Sequence, residues 1–168
     1  MSDYRRIRIP GAIYFFTVVT ADCEPVLTRD ATRVALRASV QAVRREHPFA
    51  VKAWVLLPDH LHCLWRLPEG DADYSIRWAK IKRHTRHRLG VSPNEALWQP
   101  RYWDHWIRDE EDYARHVDYI HWNPVKHGLV RRTVEWPYST FHRFVASGRY
   151  PREWGMADVD FPHQDFGE

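Results

Sequence analysis

Between Leu57 and Leu67 the residues alternate strictly enough to define a strand and both of its faces. Neighbours two apart share a side, so His60, His62 and Leu64 look one way and Leu61, Cys63, Trp65 and Leu67 the other. The second set requires a cover of helices. The first then presents two imidazoles roughly 6–7 Å apart along the strand, a spacing that suits shared coordination of one metal ion. Histidine pairs on strand faces are more often plain hydrogen-bonding side chains, so the pair gains meaning only from what the rest of the chain brings to it.

The flanking segments give the pair its setting. Ala12–Thr20, rich in β-branched and aromatic residues on both faces, reads as a central strand. Asp30 can cap a helix to about Arg45 that Pro48 closes. Val51–Leu57 forms a strand, and Pro58-Asp59 turns it into the histidine strand as a hairpin. A second helix spans about Tyr74–Leu89, and Tyr102–Ile107 forms a fourth strand. The order βαββαβ predicts an α+β, ferredoxin-like split sheet with two helices on one face, the other face free, and strands one and three central.

A third helix begins behind Asp109, a good N-cap followed by three acidic residues. Tyr113, Val117 and Ile120 form its packing stripe, whereas Tyr119 and Asn123, one turn apart, share a different face. Pro124 disfavours helical geometry at Asn123 and should end the helix there. A short helix follows at about Ser139–Ala146. The 168 residues suit one domain, 1–148, with residues 149–168 as a tail that mixes Pro, Gly and acidic groups.

Cys23 and Cys63 are far apart and in no metal or redox spacing, so neither a disulfide scaffold nor a cysteine zinc site is indicated, and a reducing cytoplasm fits. No export signal or membrane span is expected. The net charge of +3 is mild, but the cations are clustered. Arg5, Arg6 and Arg8 form a basic start, and no acid interrupts the run from Arg77 to Arg88. From charge, Arg5, Arg6, Arg8, Lys80, Lys82, Arg83 and Arg86 are expected to contact nucleic-acid phosphates. Trp78 and Trp122 could stack bases, with packing the better reading of Trp78.

A Gly-rich phosphate loop and a Gly-x-Ser-x-Gly elbow are both absent from the sequence, which supports neither a nucleotide cofactor nor a serine esterase. The remaining combination is His60, His62, Tyr119 and Asn123 among basic segments, able to polarise a phosphodiester beside a tyrosine hydroxyl. Free tyrosine has a pKa of about 10, and the attacked phosphate carries charge, so a metal is needed. Two imidazoles and an amide oxygen suit Mg²⁺ or Mn²⁺ and do not exclude Zn²⁺.

The blocks LPDHLHCLW (57–65), LWQPRYWDHWIRDEEDY (97–113) and YIHWNPVKHGLV (119–130), with YRRIRIPG (4–11) and WPYST (136–140) in support, resemble the single-tyrosine HUH transposases, in particular the bacterial REP-associated tyrosine transposases. The resemblance implies a ferredoxin-like nuclease fold, His60 and His62 as the two metal ligands and Tyr119 as nucleophile. It matches Asn123 to the third ligand, a position that is glutamine in related insertion-sequence transposases. It further implies cleavage of single-stranded DNA beside a palindromic hairpin, through a 5′-phosphotyrosine link and a free 3′-OH, by a monomer or homodimer.

Two other readings use the same residues. A non-catalytic single-strand binding module could share the split sheet, although the aromatic strand motif of RNA-recognition domains is missing. A zinc-dependent hydrolase could activate water at His60 and His62, with Tyr119 only binding. Replacing Tyr119 by Phe separates the three.

Overall fold

The computed structural model describes residues 6–156 and residue 166. Its centre is a four-stranded antiparallel sheet in the order β2-β3-β1-β4, formed by β1 (Ile13–Val19), β2 (Ala50–Leu56), β3 (His60–Arg66) and β4 (Trp103–Trp106). The two strands expected at the centre are there. β1 and β3 pair with Thr17 opposite His62 and Val19 opposite His60, so the histidines lie on an inner strand.

The period-2 pattern of β3 divides the core in two. Leu61, Cys63, Trp65 and Leu67 join Tyr14, Phe16 and Val18 beneath α1 (Asp30–Glu46) and α2 (Tyr74–Arg88). Trp78 belongs to this layer, almost wholly buried and stacked on Trp65 at 4.2 Å between ring centres. Packing is therefore its role. Asp73 caps α2, its side chain accepting from the Ile76 N–H, whereas Asp30 is the first helical residue of α1, with Arg29 in the cap position.

The histidine face is not free. Phe15, Val55 and Leu64 on that side pack against Val117, Tyr119 and Ile120 of α3 (Glu110–Lys126), and Phe144 of α4 (Phe141–Ala146) completes this second core. An apolar stripe on α3 needs an apolar partner, and the back of the sheet supplies it. Asp109 caps α3 as expected, accepting from the Asp112 N–H at 2.8 Å.

α3 continues through Pro124 to Lys126, three residues past the expected stop. Pro124 lies in the last turn, where it removes one helical hydrogen bond, and the helix is still closed by its cap, from His127 N–H to the Asn123 carbonyl at 3.0 Å. The outer edge of β2 is covered by residues 138–140, with Leu56 N–H donating to the Tyr138 carbonyl and Thr140 N–H to that of Trp54. Beyond α4, Tyr150 and Trp154 pack ring against ring at 4.5 Å, and Thr133 N–H bonds the Gly155 carbonyl.

Candidate active site

His60 and His62 project from β3 with ring centres 4.9 Å apart, nearly perpendicular, and both are buried. Each has its Nδ1 committed to a neighbour. His62 Nδ1 meets Thr17 Oγ1 at 2.9 Å, across the pair that the sheet register creates, and His60 Nδ1 meets Asp59 Oδ1 at 2.7 Å. With Nδ1 so engaged, Nε2 is the edge that each ring could offer to a metal ion, as outer partners orient metal-binding histidines elsewhere.

α3 lies across these rings with one ridge. Tyr119, Asn123 and His127 follow at intervals of four, so they line one side of the helix and its cap. Tyr119 stands against His62 at 5.2 Å between ring centres and His127 against His60 at 5.1 Å. Asn123, fully buried, falls between these two contacts. The structure thus brings His60, His62 and Tyr119 together, with Asn123 buried one turn after Tyr119 on the same side of the helix, and His60, Asp59, His127 and Leu129 line a cleft of about 240 Å³.

Four side chains at this site escaped the sequence reading. Lys126 Nζ donates to the Tyr119 hydroxyl at 3.1 Å, and His127 flanks His60. Both lie beyond the expected end of the helix, although seven residues from Tyr119 to Lys126 are two turns and would have found the same face. Asp59 was read only as a turn residue. Phe166 also reaches the site, its ring 4.2 Å from that of Tyr119 and 4.7 Å from that of His116.

Phe15 separates this cluster from a second one, with its ring 5.5 Å from His62 and 4.8 Å from His116. There His105 of β4 and His116 and Asp112 of α3 bring ligating atoms within 4.8 Å of one another. Asp112 is already well served: His105 Nε2 approaches Oδ2 at 3.0 Å, and Arg108 donates to the same oxygen from N and Nε. Burial works against the Asp112 charge, but the hydrogen bonds from His105 and Arg108 outweigh it and hold the carboxyl at about 2. Burial pushes His116 down to about 4, although the Asp112 carbonyl accepts from its Nδ1. A neutral histidine and a charged carboxylate tie the start of α3 to β4.

The expected phosphate contacts have mixed fates. Arg5 lies outside the described residues. Arg6 pairs with buried Asp104 at 3.2 Å and covers the ring of Tyr102, while Arg8 is exposed beside Asp73 and Ser75. Lys80 pairs with Glu46, and Arg77, from the same acid-free run, is buried against Asp71. Lys82, lowered to about 8 by burial with help from Arg6, donates to the Gln99 carbonyl. With Arg83 and Arg86 it walls a pocket of about 380 Å³ closed by the 93–100 loop. No helix among the described residues is long and apolar enough to cross a membrane.

No family model matches the chain. It is 48% identical over 161 residues to the REP-associated tyrosine transposase of Escherichia coli K12, covering 96% of this chain and 95% of the relative. It is 40% identical over 166 residues to a putative REP-associated tyrosine transposase of Haemophilus influenzae, covering 92% and 94%. The solved structure of a REP-associated tyrosine transposase bound to a REP hairpin superposes with a TM-score of 0.86 at 48% identity, covering 96% of each chain.

Proposed function

Because the chain belongs to the REP-associated tyrosine transposase family, we propose that it cleaves and rejoins single-stranded DNA beside palindromic hairpins, with Tyr119 as nucleophile. The observation that carries this reading is the contact of Tyr119 with His62, a histidine already oriented through Nδ1. A tyrosine hydroxyl beside two prepared imidazoles serves phosphoryl transfer better than water activation alone.

His60 and His62, with Asn123, would hold the divalent cation, Mg²⁺ or Mn²⁺, and their donor set of two imidazoles and an amide fits such an ion. When bound, the ion supplies polarisation of the scissile phosphate and relief of its charge. The rest belongs to this chain. Tyr119 Oη attacks phosphorus, its O–P bond forms as the bond to the 3′ oxygen breaks, and the phenolic proton lost is balanced by the one the 3′ hydroxyl gains. Lys126, donating to Oη, favours the oxygen as it takes on negative charge. Asp59 and Thr17 keep the imidazoles in one orientation throughout. Reversal by an incoming 3′-OH rejoins the strand, and the retained ester explains why no nucleotide is needed. Arg6 and Arg8, with Lys80, Lys82, Arg83 and Arg86, would take phosphates of the bound strand.

The test is covalent capture. DNA hairpins labelled at the 3′ end are incubated with the protein and with Tyr119→Phe, in Mn²⁺ or in chelator. Labelled protein is expected only for the unmodified enzyme with metal. Metal-dependent cutting without an adduct would instead indicate a hydrolase, and binding without cutting a recognition module.

A further inference from the structure

α1 carries four arginines, Arg33, Arg37, Arg44 and Arg45, along its outward side. A groove of about 560 Å³ runs between α1, the edge of β2 and residues 138–140, with Arg33, Arg37 and Arg44 along one wall and Trp54 and Tyr138 along the other. A second hollow of about 360 Å³, shared through Gln41 and Arg44, extends it to Arg45 and Pro48. Among the described residues that line the two, none is acidic. Arg37, Arg44 and Arg45 are exposed, and of the acids on α1, Asp30 is engaged by Arg33 and Glu46 by Lys80. On α2, Lys80 pairs with an acid and Lys82 and Arg86 bond loop carbonyls; on α1, Arg33 pairs with Asp30 and Arg44 Nε donates to the Phe49 carbonyl at 3.0 Å, while Arg37 and Arg45 stand exposed along the same side.

From this we infer that the α1 trough seats the duplex stem of the hairpin by its phosphate backbone, an assignment that rests on the hairpin reading above. A row of arginines without acids is the footprint of phosphates. From Arg33 to Arg45 the helix rises about 18 Å, the length of about five base-pair steps. A single strand would need exposed rings for its bases. The trough lacks them, because the Arg33 guanidinium covers Tyr138 at 4.5 Å and Trp54 is half-buried against the core. The trough also leads to the chemistry. Leu56 is in its wall, and the next residue, Leu57, lines the cleft that holds His60 and His127. A stem on α1 therefore delivers its flanking strand around the β2–β3 turn to the candidate active site.

Binding of a stem-loop without flanks, and of an unstructured strand of equal length, is measured by fluorescence anisotropy across a salt series for the protein and for Arg37→Ala/Arg44→Ala. The stem-loop affinity should fall at least tenfold and the slope of log K against log salt should shrink by about two, one unit per lost phosphate contact. The unstructured strand should bind the two proteins alike, and matching circular dichroism should show that losing the Arg44 bond to the Phe49 carbonyl leaves the fold intact. Unchanged stem binding overturns the assignment. So does equal loss for the unstructured strand, which would make the trough a strand track, or a dimer that dissociates on substitution, which would place a second copy there. If stem binding depends on the arginines but no tyrosine adduct ever forms, the seat stands and the catalytic reading fails.

Discussion

Lys126 places its ammonium 3.1 Å from the hydroxyl of Tyr119, two helical turns after it and on the far side of a proline. This contact gives the proposed nucleophile a cation that is independent of the metal ligands. Lys126→Met should lower the rate of adduct formation about a hundredfold, the scale of losing one preorganised donor to developing charge, with hairpin affinity unchanged. Lys126→Arg should recover part of it. Single-turnover kinetics on labelled hairpins would show the effect, and an unchanged rate would remove Lys126 from the chemistry.

Asp59 and Thr17 orient the two imidazoles from outside. Asp59→Asn and Thr17→Val should each raise the Mn²⁺ concentration needed for half-maximal cleavage by about 10–100-fold, with much of the rate restored at saturating metal. A loss that no amount of metal corrects would mean that these residues act on the fold instead.

Phe166 rests on the Tyr119 ring. If substrate must displace that contact, Phe166→Ala should raise the apparent substrate affinity about fivefold, the equivalent of about 1 kcal/mol of apolar contact no longer displaced. Equal KM values for the two proteins would show that substrate and Phe166 do not compete.

His116 is held neutral by burial, with a folded pKa of about 4 against 6.5 for the free side chain. Between those values the unfolded chain takes up a proton that the folded chain refuses, so unfolding gains as pH falls from about 6.5 and the penalty is complete below about 4. The midpoint of thermal unfolding should drop by on the order of 5 °C over that window from this residue. His116→Gln should flatten the slope, and identical slopes for both proteins would refute the assignment.

The sheet was legible because β3 announces both of its faces: the alternation that buries Cys63 and Trp65 under α1 and α2 leaves His60 and His62 nowhere else to point. The Asp109 cap was legible for a similar local reason. What lay beyond reach was tertiary. Pro124 looks like a stop because its cost is local, but packing of α3 on Phe15, Val55 and Leu64 carries the helix one turn further. With that turn come Lys126 and His127. Charge alone does not show that Lys80 pairs with Glu46, a residue 34 positions away that only the fold brings near, or that Arg77 is buried against Asp71.

The proposed ligands and nucleophile belong to different layers, His60 and His62 to the sheet and Tyr119 to the helix laid over it. β1 and β3 are paired along their whole length and β2 and β3 along all but a register shift between Val51 and Ala53, whereas α3 is held by side-chain packing, its N-cap and the network around Asp112. Local opening that lifts α3 would thus cost less than global unfolding and would leave the sheet standing with its histidines but without a nucleophile. Warming or mild denaturant should silence cleavage before the far-ultraviolet signal of the sheet is lost, so activity reports the docking of one helix and not the integrity of the whole chain.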